Sequence, residues 1–74
     1  MAVVFHGPKL RDQRRLAGLS AAELAAQLGR SESAIWAYET GRMQPPLSVA
    51  AAAASALELP LEALLHDDPL AVAA

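Results

Sequence analysis

Cysteine is missing from this chain of 74 residues. Neither a disulfide framework nor a cysteine-ligated zinc can therefore replace a hydrophobic core, and thiols say nothing of the redox compartment. So short a chain allows one domain with a small core and a narrow stability margin, too small for a large enclosed active site. Helix packing, helped by dimerisation, has to supply the stability. Long apolar runs are missing too. Only residues 1–4 form an apolar run before Phe5, no charged leader is present, and the alanine-rich stretch near residue 50 is too short and too weakly hydrophobic to cross a bilayer. These absences predict a soluble, cytoplasmic protein.

Catalytic and metal-binding constellations are equally scarce. His6 and His66 are the only histidines. They stand near opposite ends of the predicted domain, and neither has a second nitrogen or sulfur ligand at metal-binding spacing. Asp67 and Asp68 read as a solvated turn. No serine has a recognisable base and orienting acid, and Gly7, Gly18, Gly29 and Gly41 make no phosphate loop. The expectation is a non-enzyme with no cofactor, no metal and no evident small-molecule ligand.

The net charge of −2, taken as one number, argues mildly against a polyanionic partner. Its distribution softens that objection. All six basic residues, Lys9, Arg11, Arg14, Arg15, Arg30 and Arg42, fall within residues 9–42 beside Asp12, Glu23, Glu32 and Glu39, a local balance of +2. The other four acids, Glu58, Glu62, Asp67 and Asp68, all follow. The result is a weak dipole, with a basic front suited to phosphates and an acidic back.

What the chain does have is residues 20–41, SAAELAAQLGRSESAIWAYETG, two short helices joined at Gly29 and Arg30. Ser20 and Glu23 form a capping box that starts the first helix sharply. Leu24, Ala25 and Leu28 follow at helical spacing, with the small Ala25 where a second helix can cross closely. Gly29 stands where the helix must stop in a positive-φ turn, and Ser31 caps the next one. In that second helix Ile35, Tyr38 and Glu39 share a packing face, while Glu32, Ser33, Trp36, Ala37 and Thr40 look outward. This is the layout of a helix-turn-helix.

These residues, with Leu19, Gly41 and Pro45, make the chain resemble the phage repressor and Cro-type (XRE-like) helix-turn-helix family from about residue 9 to residue 65. The resemblance implies an all-α, compact five-helix bundle of the lambda-repressor-like type, with residues 1–7 as an N-terminal arm, residues 8–65 as the DNA-binding domain and residues 66–74 as a tail. It also implies a base-reading surface at Glu32, Ser33, Trp36 and Ala37 and phosphate contacts from Ser20, Arg30, Thr40 and Arg42. Arg14 and Glu39 match positions that in similar proteins form a structural ion pair between the first helix and the reading helix. The family pattern carries a phosphate-holding glutamine after the capping serine, and here that position is Ala21.

The remaining elements follow from local signals. The first helix runs from about residue 8 to residue 17, ending at Gly18, with Leu10 inward and the stems of Arg11, Arg14 and Arg15 beside the core. Leu19 re-enters the core, and Phe5 anchors the arm. A loop, RMQPP, precedes a fourth helix whose inner face is Leu47, Ala50, Ala53, Ala54 and Leu57. Pro60 opens a fifth short helix, PLEALL, with Leu61, Leu64 and Leu65 as its apolar side.

Physically, the major groove admits one α-helix, whose first turn brings side chains within reach of base edges. Glu32 is placed to accept from cytosine N4, unless it is only a solvated charge. Ser33 suits several bases, and Ala37 offers a methyl contact, for instance to thymine. Trp36 either packs along a sugar-phosphate strand or lies over helix four. The function expected is that of a sequence-selective regulator of double-stranded DNA, a repressor acting by operator occupancy. It would work as a homodimer on an inverted repeat, paired through Leu61, Leu65 and residues 70–72 or through the N-terminal arm. The alternative is a protein-interaction module on the same scaffold. The end of the predicted fifth helix followed by a short tail reads as a complete domain rather than part of a longer regulator.

Overall fold

The computed structural model describes residues 2–68, with side chains from Val3 to His66. In chain order these form β1 (Ala2–Phe5), α1 (Gly7–Leu16), α2 (Ala21–Leu28), α3 (Glu32–Glu39), α4 (Leu47–Ala56), a 3₁₀ turn (Leu61–Leu64) and β2 (Leu65–Asp68). The five-helix expectation is corrected to four α-helices plus a small two-stranded antiparallel ribbon, within a helical fold of the expected type. The predicted fifth helix stops because Leu65 turns extended (φ −114°, ψ 158°) to pair with Phe5. A helix of five or six residues closes few bonds of its own, whereas the ribbon gives the same backbone partners. Lys9 Nζ donates to the Leu65 carbonyl at 2.6 Å, and the His6 N–H donates to the Leu64 carbonyl at 2.8 Å, which locks this end to α1. Asp67 and Asp68 lie in β2 rather than in a turn. Residues 70–74, read as part of a tail and of a dimer surface, lie outside the described residues.

The capping box is present: Ser20 Oγ accepts from the Glu23 N–H at 3.0 Å and Glu23 Oε1 accepts from the Ser20 N–H at 2.9 Å. The Ser20 backbone N–H first, and then the Ser20 side chain, hold the Glu23 carboxyl below its ordinary pKa. Leu10, Leu24, Ile35 and Leu64 are the largest fully buried side chains. Alanines 21, 25, 50, 53 and 54 let the helices approach closely around them. Phe5, Leu28 and Leu57 pack against this cluster.

Two core assignments change. Leu47 is 73% exposed, because α4 turns Val49, Ala50, Ala53 and Ala54 inward and leaves its first residue to one side of that stripe. Leu19 is only half-buried and stays out of the core cluster, while its carbonyl accepts from Arg14 Nη1 at 2.9 Å.

Gly29 ends α2 in the left-handed region (φ 65°), with the Arg30 N–H donating to the Ala25 carbonyl at 3.0 Å and the Gly29 N–H to the Ala26 carbonyl at 3.3 Å. The end of α4 repeats this pattern with the Leu59 N–H donating to Ala54 at 2.8 Å and the Glu58 N–H to Ser55 at 3.0 Å. There the left-handed residue is Glu58 (φ 58°), which pays the Cβ–carbonyl clash that glycine avoids. Glu58→Gly is expected to raise stability by about 0.5–1 kcal/mol, after glycine's greater freedom in the unfolded chain is subtracted. A urea denaturation midpoint shifted upward at unchanged m-value is the result to look for.

The ribbon also corrects the histidines. His6 and His66 are not at opposite ends: their ring centroids lie 4.1 Å apart at 38°. Burial, then His66 and Lys9, push the His6 pKa below its ordinary value, against a smaller pull upward from Asp12. A His pKa lower in the folded than in the unfolded chain means that protonation favours unfolding. His6 therefore withdraws stability as pH falls through about 6.5 and below, and withdraws none well above it. Urea midpoints at pH 7.5 and 5.5 should differ less in His66→Gln than in the unchanged chain. Equal differences would remove the pair as the cause.

Candidate nucleic-acid interface

α3 is held by three local devices. Ser31 Oγ accepts from the Ala34 N–H at 3.1 Å and fixes its start. Ile35, Tyr38 and Glu39 bury one side. At its end the guanidinium of Arg14 grips Glu39, with Nε to Oε2 at 2.7 Å and Nη2 to Oε1 at 3.1 Å. Both residues are about 95% buried, Arg14 leaving 5% and Glu39 4% of its surface exposed. The hydrogen bond to Glu39 raises the Arg14 pKa against the opposing effect of burial, so this arginine is charged throughout. α1 thereby sets the angle of α3.

The opposite side of α3 faces outward. Ser33, Trp36, Ala37, Thr40 and Arg42 line one shallow, open concavity of about 280 Å³. Arg42 reaches it because the chain reverses at Gly41, with the N–H groups of Arg42 (2.9 Å) and Met43 (3.2 Å) both donating to the Ala37 carbonyl. Glu32 is exposed on the first turn of the same helix but is not among the residues lining the concavity. Arg30 is exposed at the turn between α2 and α3, and Ser20 is exposed at the start of α2 with its Oγ accepting the cap bond. The first N–H groups of α2 and α3 lack intrahelical partners and form positive ends beside these residues.

Thr40, expected at a phosphate, is exposed at the C-cap of α3. Its single hydroxyl proton goes to the Trp36 carbonyl at 2.7 Å, so in this rotamer Thr40 cannot donate to a phosphate. Ala21, at the glutamine position of the family pattern, is 3% exposed and belongs to the core. Trp36 is 47% exposed, and the Arg14 guanidinium carbon lies 5.8 Å from its ring centroid, a cation–π contact. That contact escaped the sequence reading. Its signal was the spacing of three between Trp36 and Glu39, which puts the ring one turn from the arginine's partner. Among the described residues no cluster of three or more metal-ligating side chains occurs, and no helix is long and apolar enough to cross a membrane.

A family model described as a helix-turn-helix domain matches residues 7–66, from the start of α1 into β2. The chain belongs to the helix-turn-helix domain family. The fold of this helix-turn-helix domain is similar to the restriction-modification controller protein C.AhdI from Aeromonas hydrophila, with 31% identity and a TM-score of 0.75, covering 78% of this chain and 88% of that one. It is also similar to the P22 c2 repressor in complex with a synthetic operator, at 27% identity and TM-score 0.77, covering 84% and 94%. In sequence it is 43% identical over 44 residues to the HTH-type transcriptional regulatory protein PAE1627 of Pyrobaculum aerophilum, whose own role is provisional. That match takes in 60% of this chain and only 18% of that protein. The family model is described as a helix-turn-helix domain and the two structures as a controller protein and a repressor, none of them as an enzyme.

Proposed function

We propose that this helix-turn-helix domain is a sequence-selective, double-stranded DNA-binding transcription regulator, a cytoplasmic repressor that acts by occupying its operator with α3 in the major groove. The observation that carries this reading is the concavity on the outward side of α3, lined by a hydroxyl (Ser33), an indole (Trp36), a methyl (Ala37) and a guanidinium (Arg42). Likeness to a repressor described in complex with its operator supports it. In this arrangement Glu32, Ser33, Trp36 and Ala37 face bases. Ser20, Arg30 and Arg42 meet phosphates together with the helix N-termini, and Thr40 does so only after its hydroxyl rotates. With few bidentate donors to bases, specificity rests partly on DNA shape. A domain with six basic residues gains affinity by pairing, so the reading includes a homodimer on an inverted repeat with half-sites about one helical turn apart.

The test is selection of bound duplexes from a random library at about 100 mM salt, where non-specific binding is already weakened. An enriched inverted repeat supports a dimeric DNA reader. The second reading, a protein-interaction module, is favoured by the net charge of −2 and by the buried Ala21, and it predicts no enrichment. On the selected operator, Arg42→Ala is expected to weaken binding and to lower the slope of log K against log salt by about 1, the signature of one lost phosphate contact. An unchanged slope would take Arg42 off the DNA backbone.

A further inference from the structure

We infer that the free edge of β1 and the apolar groove beside it receive β1 of a second copy of this chain. The proposal rests on the dimeric reading above and gives that dimer a surface. Among the described residues the sheet has two strands, so β1 is paired on one side only and its outer edge presents unmatched N–H and C=O groups. Edges of this kind are normally blunted by charge, proline or a bulge. β1 reads AVVF and pairs in unbroken register from Ala2 to Phe5, so it has none of these.

Beside β1 runs a groove of about 470 Å³ whose lining includes Val3, Val4, Phe5, Pro45, Leu47 and Leu65 and no charged residue. Val3 is 61% and Leu47 73% exposed, large apolar side chains that one molecule leaves in water. A second copy is the occupant these features select. An antiparallel pair made from one strand and its own copy is self-complementary about a two-fold axis, so each edge N–H meets a carbonyl without any further sequence. The groove also adjoins the candidate interface. Only Met43 separates Arg42, which lines the concavity, from Gln44, which lines the groove. A two-fold axis at the outer edge of β1 gives a four-stranded sheet ordered β2-β1-β1-β2.

Sedimentation equilibrium of the full chain, free and on its selected operator, tests this with Leu47→Glu and Val3→Glu, both at exposed positions where the monomer has little to lose. Far-UV circular dichroism confirms that the variants remain folded. The expected result is a dimer in the unchanged chain, at least about tenfold weaker dissociation constants in each variant, and intermolecular Hα–Hα contacts between β1 strands in a mixed-label NMR sample. A dimer that both variants retain, without those contacts, would overturn this surface while leaving the dimeric reading intact. A chain that stays monomeric at high micromolar concentration and on DNA would overturn both, whether its groove is empty or filled by its own tail or a foreign peptide.

Discussion

Glu39→Ala is expected to destabilise the domain by about 3–5 kcal/mol, which is most of what a chain of this size has. Among the described residues Glu39 is the one carboxylate paired with the Arg14 guanidinium, which is 5% exposed, and both of its oxygens are engaged at 2.7 and 3.1 Å. Removing it leaves a permanently charged arginine in the core with one remaining bond, from Nη1 to the Leu19 carbonyl. Arg14→Ala should cost a similar amount by stranding the carboxylate instead. The distinction between a costly break and a large net contribution is testable. A buried pair pays heavily for desolvation, so Arg14→Met combined with Glu39→Leu should recover much of the loss of either single change. Thermal unfolding followed by circular dichroism gives all four corners of that cycle. Equal stability of Glu39→Ala and the unchanged chain would mean that the pair does not set the position of α3. Because the Trp36 ring stands over the same guanidinium, its fluorescence should respond in both Arg14 variants.

Gly7→Ala is expected to cost about 2–3 kcal/mol, a result opposite in sign to what helix propensity predicts. Gly7 is the first residue of α1, and alanine is the better helix former, by up to about 1 kcal/mol in a helix interior, so a change judged by local preference alone would stabilise. A Cβ at this position would stand 2.6 Å from the Glu39 carbonyl oxygen and 2.8 Å from its carbon, and would also meet the Tyr38 carbonyl oxygen. All three are backbone atoms and cannot swing aside. The N-terminus of α1 would have to lift from the C-terminus of α3, at the same contact that Arg14 and Glu39 secure. A lowered urea midpoint confirms the close approach, and a raised one would show that α1 has room to move.

Much of the architecture was visible beforehand because its causes are local. Ser20 with Glu23, Gly29, Ser31 and the spacing of Ile35, Tyr38 and Glu39 act through residues within one or two turns, and α2, the turn and α3 begin and end where those signals lie. The outward set on α3 follows from the same spacing, which is why Ser33, Trp36, Ala37 and Thr40 line one concavity with Arg42. Pro60 misled because it marks the start of a turn but says nothing of its length. Leu65 leaves the helix for a partner some sixty residues earlier in the chain, Phe5. Gly7 carried no local signal of its tight place, since its crowding comes from Tyr38 and Glu39.

By itself, then, the sequence determined the helix-turn-helix, its caps and its two faces, because capping, positive-φ turns and helical periodicity are decided by near neighbours along the chain. The tertiary structure decided the ribbon of β1 and β2, the meeting of His6 with His66, the seat of Trp36 over Arg14 and the tight place of Gly7. Each of these depends on where helices of given length finish in space, which brings together residues that share no local signal.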